Sequence, residues 1–142
     1  MNTYQIKAGL ENMDIAAIHN FLSKESYWAK GIPFETVETS LKNSFCVGVF
    51  DAKIQIGFAR FVTDYATFAY LADVYVLKEH RGKGLSKILI NHIMDLEWTK
   101  GLRRMLLATL DAHSLYKQFG FQSPENPEWL MEIKRNNLYQ KS

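Results

Sequence analysis

The stretch from Val74 to Lys87 limits what this chain can fold into more than any other. Tyr70 to Leu77 is β-branched and aromatic with Asp73 as its one charge, which predicts a mostly buried strand. From Leu85, the apolar positions Leu85, Ile88, Leu89, Ile93 and Leu96 follow helical spacing. Between the two, Gly82 and Gly84 allow a tight turn and let the backbone approach a ligand without Cβ obstruction. The unpaired N–H groups of the new helix point into that turn, and the helix dipole adds partial positive charge there. Strand, glycine turn and helix in this order form an anion cradle, most often for phosphate. Arg81, Lys83 and Lys87 add full charges, so the expected ligand is a phosphorylated small molecule.

The turn is neither of the two commonest phosphate loops. Its glycines are two apart and no Lys-Ser/Thr pair closes it, which excludes G-x-x-x-x-G-K-[ST]. Lys87 stands where G-x-G-x-x-G requires its third glycine.

At 142 residues the chain has the length of one domain, and residues 1–142 are read as one. Its composition is 47% hydrophobic, ordinary for a globular protein, and a formal charge of +2 is too small to argue for nucleic acid. No apolar run reaches the ~20 residues of a membrane span, and Met1-Asn2-Thr3-Tyr4 lacks the basic-then-apolar pattern of a secretory signal, so none is expected. Cys46, the only cysteine, lies in Phe45-Cys46-Val47-Gly48-Val49 and is expected to be a buried strand residue. A cytoplasmic location is expected. None of His19, His80, His92 and His113 stands four from another or beside a Cys, so no metal site is expected. His80 is expected to face solvent.

In order, Tyr4 to Lys7 reads as a short strand, and Asn12 is positioned to cap a helix through about Ser23. Ser26 to Ile32 is a loop rich in aromatics. Pro33 opens a shorter helix with Phe34, Val37 and Leu41 on one face. Ser44 to Phe50, Ile54 to Thr63 and the Tyr70 strand form a meander, with turns at Asp51–Lys53 and Asp64–Ala66. Gly101 is expected to end the helix begun at Leu85, and Met105 to Thr109 is a further strand. Asp111 is positioned to cap a short helix through Gln118, and Met131 to Lys134 is expected to be a last strand. The order predicts an α+β domain with a helix-connected strand pair at its centre.

Two motifs carry a family resemblance. Arg81-Gly82-Lys83-Gly84-Leu85-Ser86 resembles the acetyl-coenzyme A signature [Q/R]-x-x-G-x-[G/A] of the GCN5-related N-acetyltransferase (GNAT) superfamily. Glu79 stands where that pattern has Gln or Arg, and Ser86 where many members carry a third glycine. Leu115-Tyr116-Lys117-Gln118-Phe119-Gly120-Phe121 resembles the family's L-Y-x-x-x-G-F signature, about thirty residues further on as the family has it. The element order is similar to the family's over essentially the whole chain.

The resemblance implies a three-layer α/β/α fold with a mixed, mainly antiparallel central sheet and a splayed parallel strand pair. It implies direct transfer of the acetyl group of acetyl-CoA to the primary amine of a small molecule, without an acyl-enzyme. Arg81, Gly82, Lys83, Gly84, Leu85 and Ser86 would hold the pyrophosphate, and the backbone of Tyr75, Val76 and Leu77 would run along pantetheine. Tyr116 matches the family's general acid. Asp73, the one carboxylate in the central strand, is the candidate general base, against a carboxylate paired with an arginine such as Arg60. Tyr27, Trp28 and Tyr65 are candidate acceptor contacts, and Trp28 serves equally as a lid on the core. Dimers are frequent in the family, although no apolar stripe in the sequence marks an interface. Two other readings compete: a catalytically silent acyl-CoA-binding regulatory module on the same fold, and, more weakly, a nucleic-acid-binding domain.

Overall fold

The structure, a computed structural model, describes residues 3–140. Its elements run β1 (Tyr4–Ala8), α1 (Ile15–Lys24), α2 (Phe34–Lys42), β2 (Phe45–Asp51), β3 (Ile54–Thr63), β4 (Phe68–Val76), α3 (Leu85–Met94), β5 (Arg104–Leu107) and α4 (His113–Lys117). The five strands form one sheet in the order β1-β2-β3-β4-β5. Every pairing is antiparallel except β4 with β5, which is parallel. No helix among the described residues is long and apolar enough to cross a membrane.

Alternation along β2 separates two cores. Val47 and Val49 point to one face, where they meet Ala59, Phe61, Ala69 and Leu71 beneath Leu85, Leu89, Ile90 and Ile93 of α3. Cys46 and Phe50 point to the other, where Phe58 and Tyr75 meet Ile18, Phe21 and Leu22 of α1 and Val37 and Leu41 of α2. The result is the expected sheet between two helical layers. Cys46 is fully buried, and burial pushes its thiol up to about 11, so it behaves as a small core hydrophobe.

Two bulges re-aim the strands. Between β2 and β3 the pairing steps from Val49↔Gly57 to Phe50↔Gln55, and between β3 and β4 from Phe58↔Tyr75 to Arg60↔Ala72. The second bulge contains Asp73, at a left-handed φ of 56°. An extra residue there reverses the side-chain parity of β4. Leu71 therefore serves the α3 core and Tyr75 the α1/α2 core, although both are odd-numbered.

Several local expectations are corrected. α1 is capped by Asp14, whose carboxylate accepts from the Ala17 amide at 3.0 Å; Asn12 instead donates to the Ala8 carbonyl at 2.8 Å. α3 ends at Met94, and Gly101 closes a separate 3-10 turn, Glu97–Gly101. Ile88 is half exposed, because the face of α3 that meets the sheet runs Leu85, Leu89, Ile90, Ile93. Thr109, not Asp111, supplies the hydroxyl that accepts from the Ala112 amide ahead of α4. Met131 to Lys134 pairs with no strand.

Leu89 has no exposed surface and lies at the centre of the α3 contact. Leu89→Ala is expected to lower unfolding free energy by about 2–5 kcal/mol in urea titrations, with an unchanged m value. A loss below about 1 kcal/mol would mean that α3 does not pack on the sheet as described.

Candidate active site

β4 pairs with β5 only from Phe68↔Arg104 to Leu71↔Leu107. Beyond Leu71, β4 continues through Ala72 to Val76 with its β5-side edge unpaired among the described residues. This is the splay that the resemblance implies. The chain then makes the 3-10 turn Lys78–His80 and the glycine turn before α3. Gly82 has φ 80° and Gly84, the N-cap, φ 75°; both angles favour glycine, and a Cβ at either would point into open space. A groove of about 220 Å³ opens at this turn, lined by Val76, Arg81, Gly82, Gly84, Leu85, Ser86 and Lys87 with Leu115 of α4. Exposed glycine backbone at the N-terminus of a three-turn helix fits a phosphate-bearing group.

The cationic side chains of the turn are partly committed. Arg81 turns back and its Nε donates to the Val76 carbonyl at 2.9 Å, tying the turn to the end of β4. Lys83 Nζ donates to Tyr4 Oη at 3.1 Å, and His80 Nδ1 lies 3.0 Å from the same oxygen. His80 is therefore half buried against β1, not solvent-facing as expected. Lys87 is exposed and makes no hydrogen bond or ion pair among the described residues, so its charge is available at the groove.

On the α1/α2 side, aromatic residues and carboxylates converge near the free part of β4. Arg60 Nε donates to Asp73 Oδ2 at 2.6 Å, and Trp28 Nε1 donates to Asp73 Oδ1 at 2.8 Å. Arg60 Nη1 also donates to Ser44 Oγ at 3.0 Å. The pairing with Arg60 weighed against a base role is thus present, and each Asp73 oxygen already accepts one bond. Trp28 is also 5.0 Å from the Tyr27 ring and 6.3 Å from Phe21. Phe21 stacks on Tyr75 at 3.9 Å with a 9° interplanar angle. Burial pushes the Tyr75 phenol well up, with Asp14, Asp73 and Glu25 adding negative potential.

Tyr116 is buried on α4, in edge contact with Phe121 at 5.9 Å. Burial pushes its phenol up to about 12, and nearby Tyr27 and Asp111 add to the shift. A phenol so placed stays protonated and can donate a hydrogen bond where negative charge develops. Tyr27 and Trp28 are both substantially exposed, at 60% and 43%, beside these buried groups. Tyr65 does not join them. It sits in the β3–β4 turn, against Trp98 at 4.9 Å and Phe45 at 6.5 Å, near the opposite end of β4. Sequence reading missed the Tyr75 side chain, which it placed only by its backbone, because the bulge that turns it inward leaves no local pattern.

A sheet that parts along β4 and ends in an exposed glycine turn is the framework that the acetyltransferase resemblance implies. The chain belongs to the Acetyltransferase (GNAT) family, whose profile it matches over residues 15–121, and family members generally use acetyl-CoA. It is 45% identical to a candidate GNAT acetyltransferase from Xanthomonas campestris pv. campestris, whose crystal structure superposes with a TM-score of 0.95 over 99% of each chain. A candidate acetyltransferase of Gibberella zeae is 31% identical over 73% of this chain and 70% of its own length. The thialysine N-epsilon-acetyltransferase of Mus musculus is 30% identical over 58% of this chain and 54% of its own length, so the chain spans about half of that relative.

Two measurements check this geometry. Gly84→Val places a β-branched residue at φ 75°, a strain of roughly 1–2 kcal/mol, with its methyls over the turn. Calorimetry is expected to show acetyl-CoA affinity at least about tenfold weaker, with the circular dichroism spectrum unchanged. The second concerns pH. The Tyr116 phenol is neutral in folded and unfolded chains below about pH 10. Above that, unfolded chains ionise first, so this contribution to stability is lost as pH rises from about 10 to about 12. Tyr75 acts in the same direction. Tyr116→Phe should therefore show a shallower fall in stability over that window in urea titrations; an identical slope would deny the burial of the phenol.

Proposed function

We propose that the protein transfers the acetyl group of acetyl-CoA directly to a primary amine of a small molecule. Family membership gives the reaction class, and the observation that supports the assignment to these residues is the groove at the glycine turn, lined by Val76 at the end of the unpaired β4 edge and by Leu115, the neighbour of Tyr116 on α4. Acetyl-CoA, when bound, supplies an acyl group already activated as a thioester, so an enzyme nucleophile is unnecessary. The turn from Arg81 to Ser86 would hold the pyrophosphate through backbone N–H groups, assisted by Lys87. The Tyr75–Leu77 backbone would pair with the pantetheine arm, leaving the Val76 amide to polarise the carbonyl being attacked.

Tyr116 holds its proton at Oη at neutral pH and would give it to the departing thiolate. Tyr27 and Trp28 would line the acceptor site, backed by the aromatic Tyr75 and the Arg60-paired Asp73, with Glu25 adding negative potential. Such a wall suits an ammonium on an apolar or aliphatic body. The thialysine relatives, named for an amine acceptor, support this class. Asp73 accepts from both Arg60 and Trp28, which suits it better to hold the ammonium or a water in place than to take the proton alone.

Acetyl-CoA with a panel of small primary amines, read by thiol release, tests the reading. Turnover is expected with lysine-like amino acids or aliphatic diamines ahead of neutral amines. Binding of acetyl-CoA without thiol release over the whole panel would overturn it. Tyr116→Phe is expected to lower kcat by about tenfold to a hundredfold while the acetyl-CoA dissociation constant moves less than about threefold. Unchanged kcat would remove Tyr116 from the proton-donor role.

A further inference from the structure

The glycine turn is fastened at two points. On its β1 side, Lys83 Nζ and His80 Nδ1 both reach Tyr4 Oη, at 3.1 Å and 3.0 Å. On its β4 side the fastening is Arg81, whose Nε donates to the Val76 carbonyl at 2.9 Å. Arg81 forms no ion pair among the described residues, not even with nearby Glu79.

The bond matters because of what Val76 would otherwise present. In the β3–β4 ladder Gly57 stands opposite Val76, and the Leu77 amide donates to the Ile56 carbonyl at 2.8 Å. Antiparallel pairing uses alternate residues, so the N–H and C=O of Val76 leave the strand on the opposite side. That side has no partner strand, since β5 stops pairing at Leu71↔Leu107. Val76 is nonetheless buried, and it lines the groove beside Arg81, Leu85 and Leu115. A buried carbonyl left without a partner is costly, and Arg81 supplies the partner.

Two consequences follow for an extended ligand. The turn would hold its phosphates and the end of β4 the arm beyond them, so the distance between turn and strand must match the ligand. Gly82 and Gly84, both at positive φ, give the turn freedom rather than stiffness. The Arg81 bond spans the two halves and sets their separation. With the Val76 carbonyl taken, moreover, the N–H is the open edge group of that residue. An N–H meets an oxygen acceptor, such as the carbonyl of a thioester.

We propose, on the reading that acetyl-CoA is the ligand, that Arg81 is a positioning residue and not a phosphate ligand. Its Nε holds the end of β4 at a set distance from the turn and leaves the Val76 N–H to meet the acyl oxygen. The donor carries this role, and the positive charge does not.

Two variants separate donor from charge. Arg81→Gln places an N–H donor as many bonds from Cα as Nε is, without the charge; Arg81→Met has similar length and neither property. Arg81 is exposed, so both should keep the wild-type circular dichroism spectrum. Each is titrated by calorimetry with acetyl-CoA and with 3′-phospho-ADP, the nucleotide half of coenzyme A, which has the phosphates but no pantetheine. Arg81→Met is expected to weaken acetyl-CoA binding at least about tenfold and 3′-phospho-ADP binding less than about threefold. Arg81→Gln is expected to recover acetyl-CoA affinity to within about threefold of wild type. Equal losses for both ligands in both variants would make Arg81 a phosphate ligand and overturn the proposal. Gln and Met variants equally weak toward acetyl-CoA would overturn it too, as would a Met variant that binds like the wild type. A folded wild type that binds 3′-phospho-ADP and acetyl-CoA no better than the Gly84→Val variant does would overturn the cofactor reading itself, and this proposal with it.

Discussion

The ion pair between Arg60 and Asp73 fixes the point at which β4 stops serving the sheet and starts serving the site. Both side chains are largely withdrawn from water, at 17% and 10% exposure, and they meet at 2.6 Å. Removing either partner of such a pair costs about 3–5 kcal/mol, because the other charge is left buried and unmatched. The cost is informative because Asp73 also carries a left-handed backbone. Asp tolerates that conformation better than most residues, and the Arg60 and Trp28 bonds hold it there. Without the bulge, Tyr75 would fall on the α3 face with Leu71, and the aromatic wall would be lost.

The bulge also links the two functions assigned to β4. One side of its outer half is an unpaired edge, available to an extended ligand. The face it turns toward α1 carries Tyr75 and Asp73, with Phe21 stacked on the former and Trp28 bonded to the latter. Donor and acceptor would therefore be positioned by adjacent atoms of a single rigid strand. That arrangement suits a reaction in which alignment of two bound molecules supplies much of the rate. The loop carrying Tyr27 is anchored to the same point through Trp28, so its exposed aromatics are not free to wander.

The glycine turn and the Tyr116 helix were legible in the sequence because each is built from local rules. Glycine at positive φ, a helix start and a tyrosine three residues into a short helix all leave marks within a few positions. The layers were legible too, since β2 alternates cleanly between cores. What was hidden depended on distant partners. The pairing of Asp73 with Arg60 was one of the readings weighed, but nothing near Asp73 announces the left-handed bulge, and the parity reversal at Tyr75 follows from that bulge. Ile88 fitted the apolar spacing of α3, yet the angle at which the helix meets the sheet left it outside. Tyr65 looked like a loop aromatic free to bind a ligand, but Trp98 claims it.

The Met131 to Lys134 segment differs from these, because its local pattern is a strand's and yet no strand forms within one chain. Sequence periodicity reports which face a segment must bury, not which molecule will bury it. Here Met131 and Ile133 stand exposed, while Tyr139 beyond them packs on the α1/α2 core. The anchor of this segment is Gly31, at the end of the loop that carries Tyr27 and Trp28. Tyr139 therefore holds the far end of the segment beside the α1/α2 core rather than at β5.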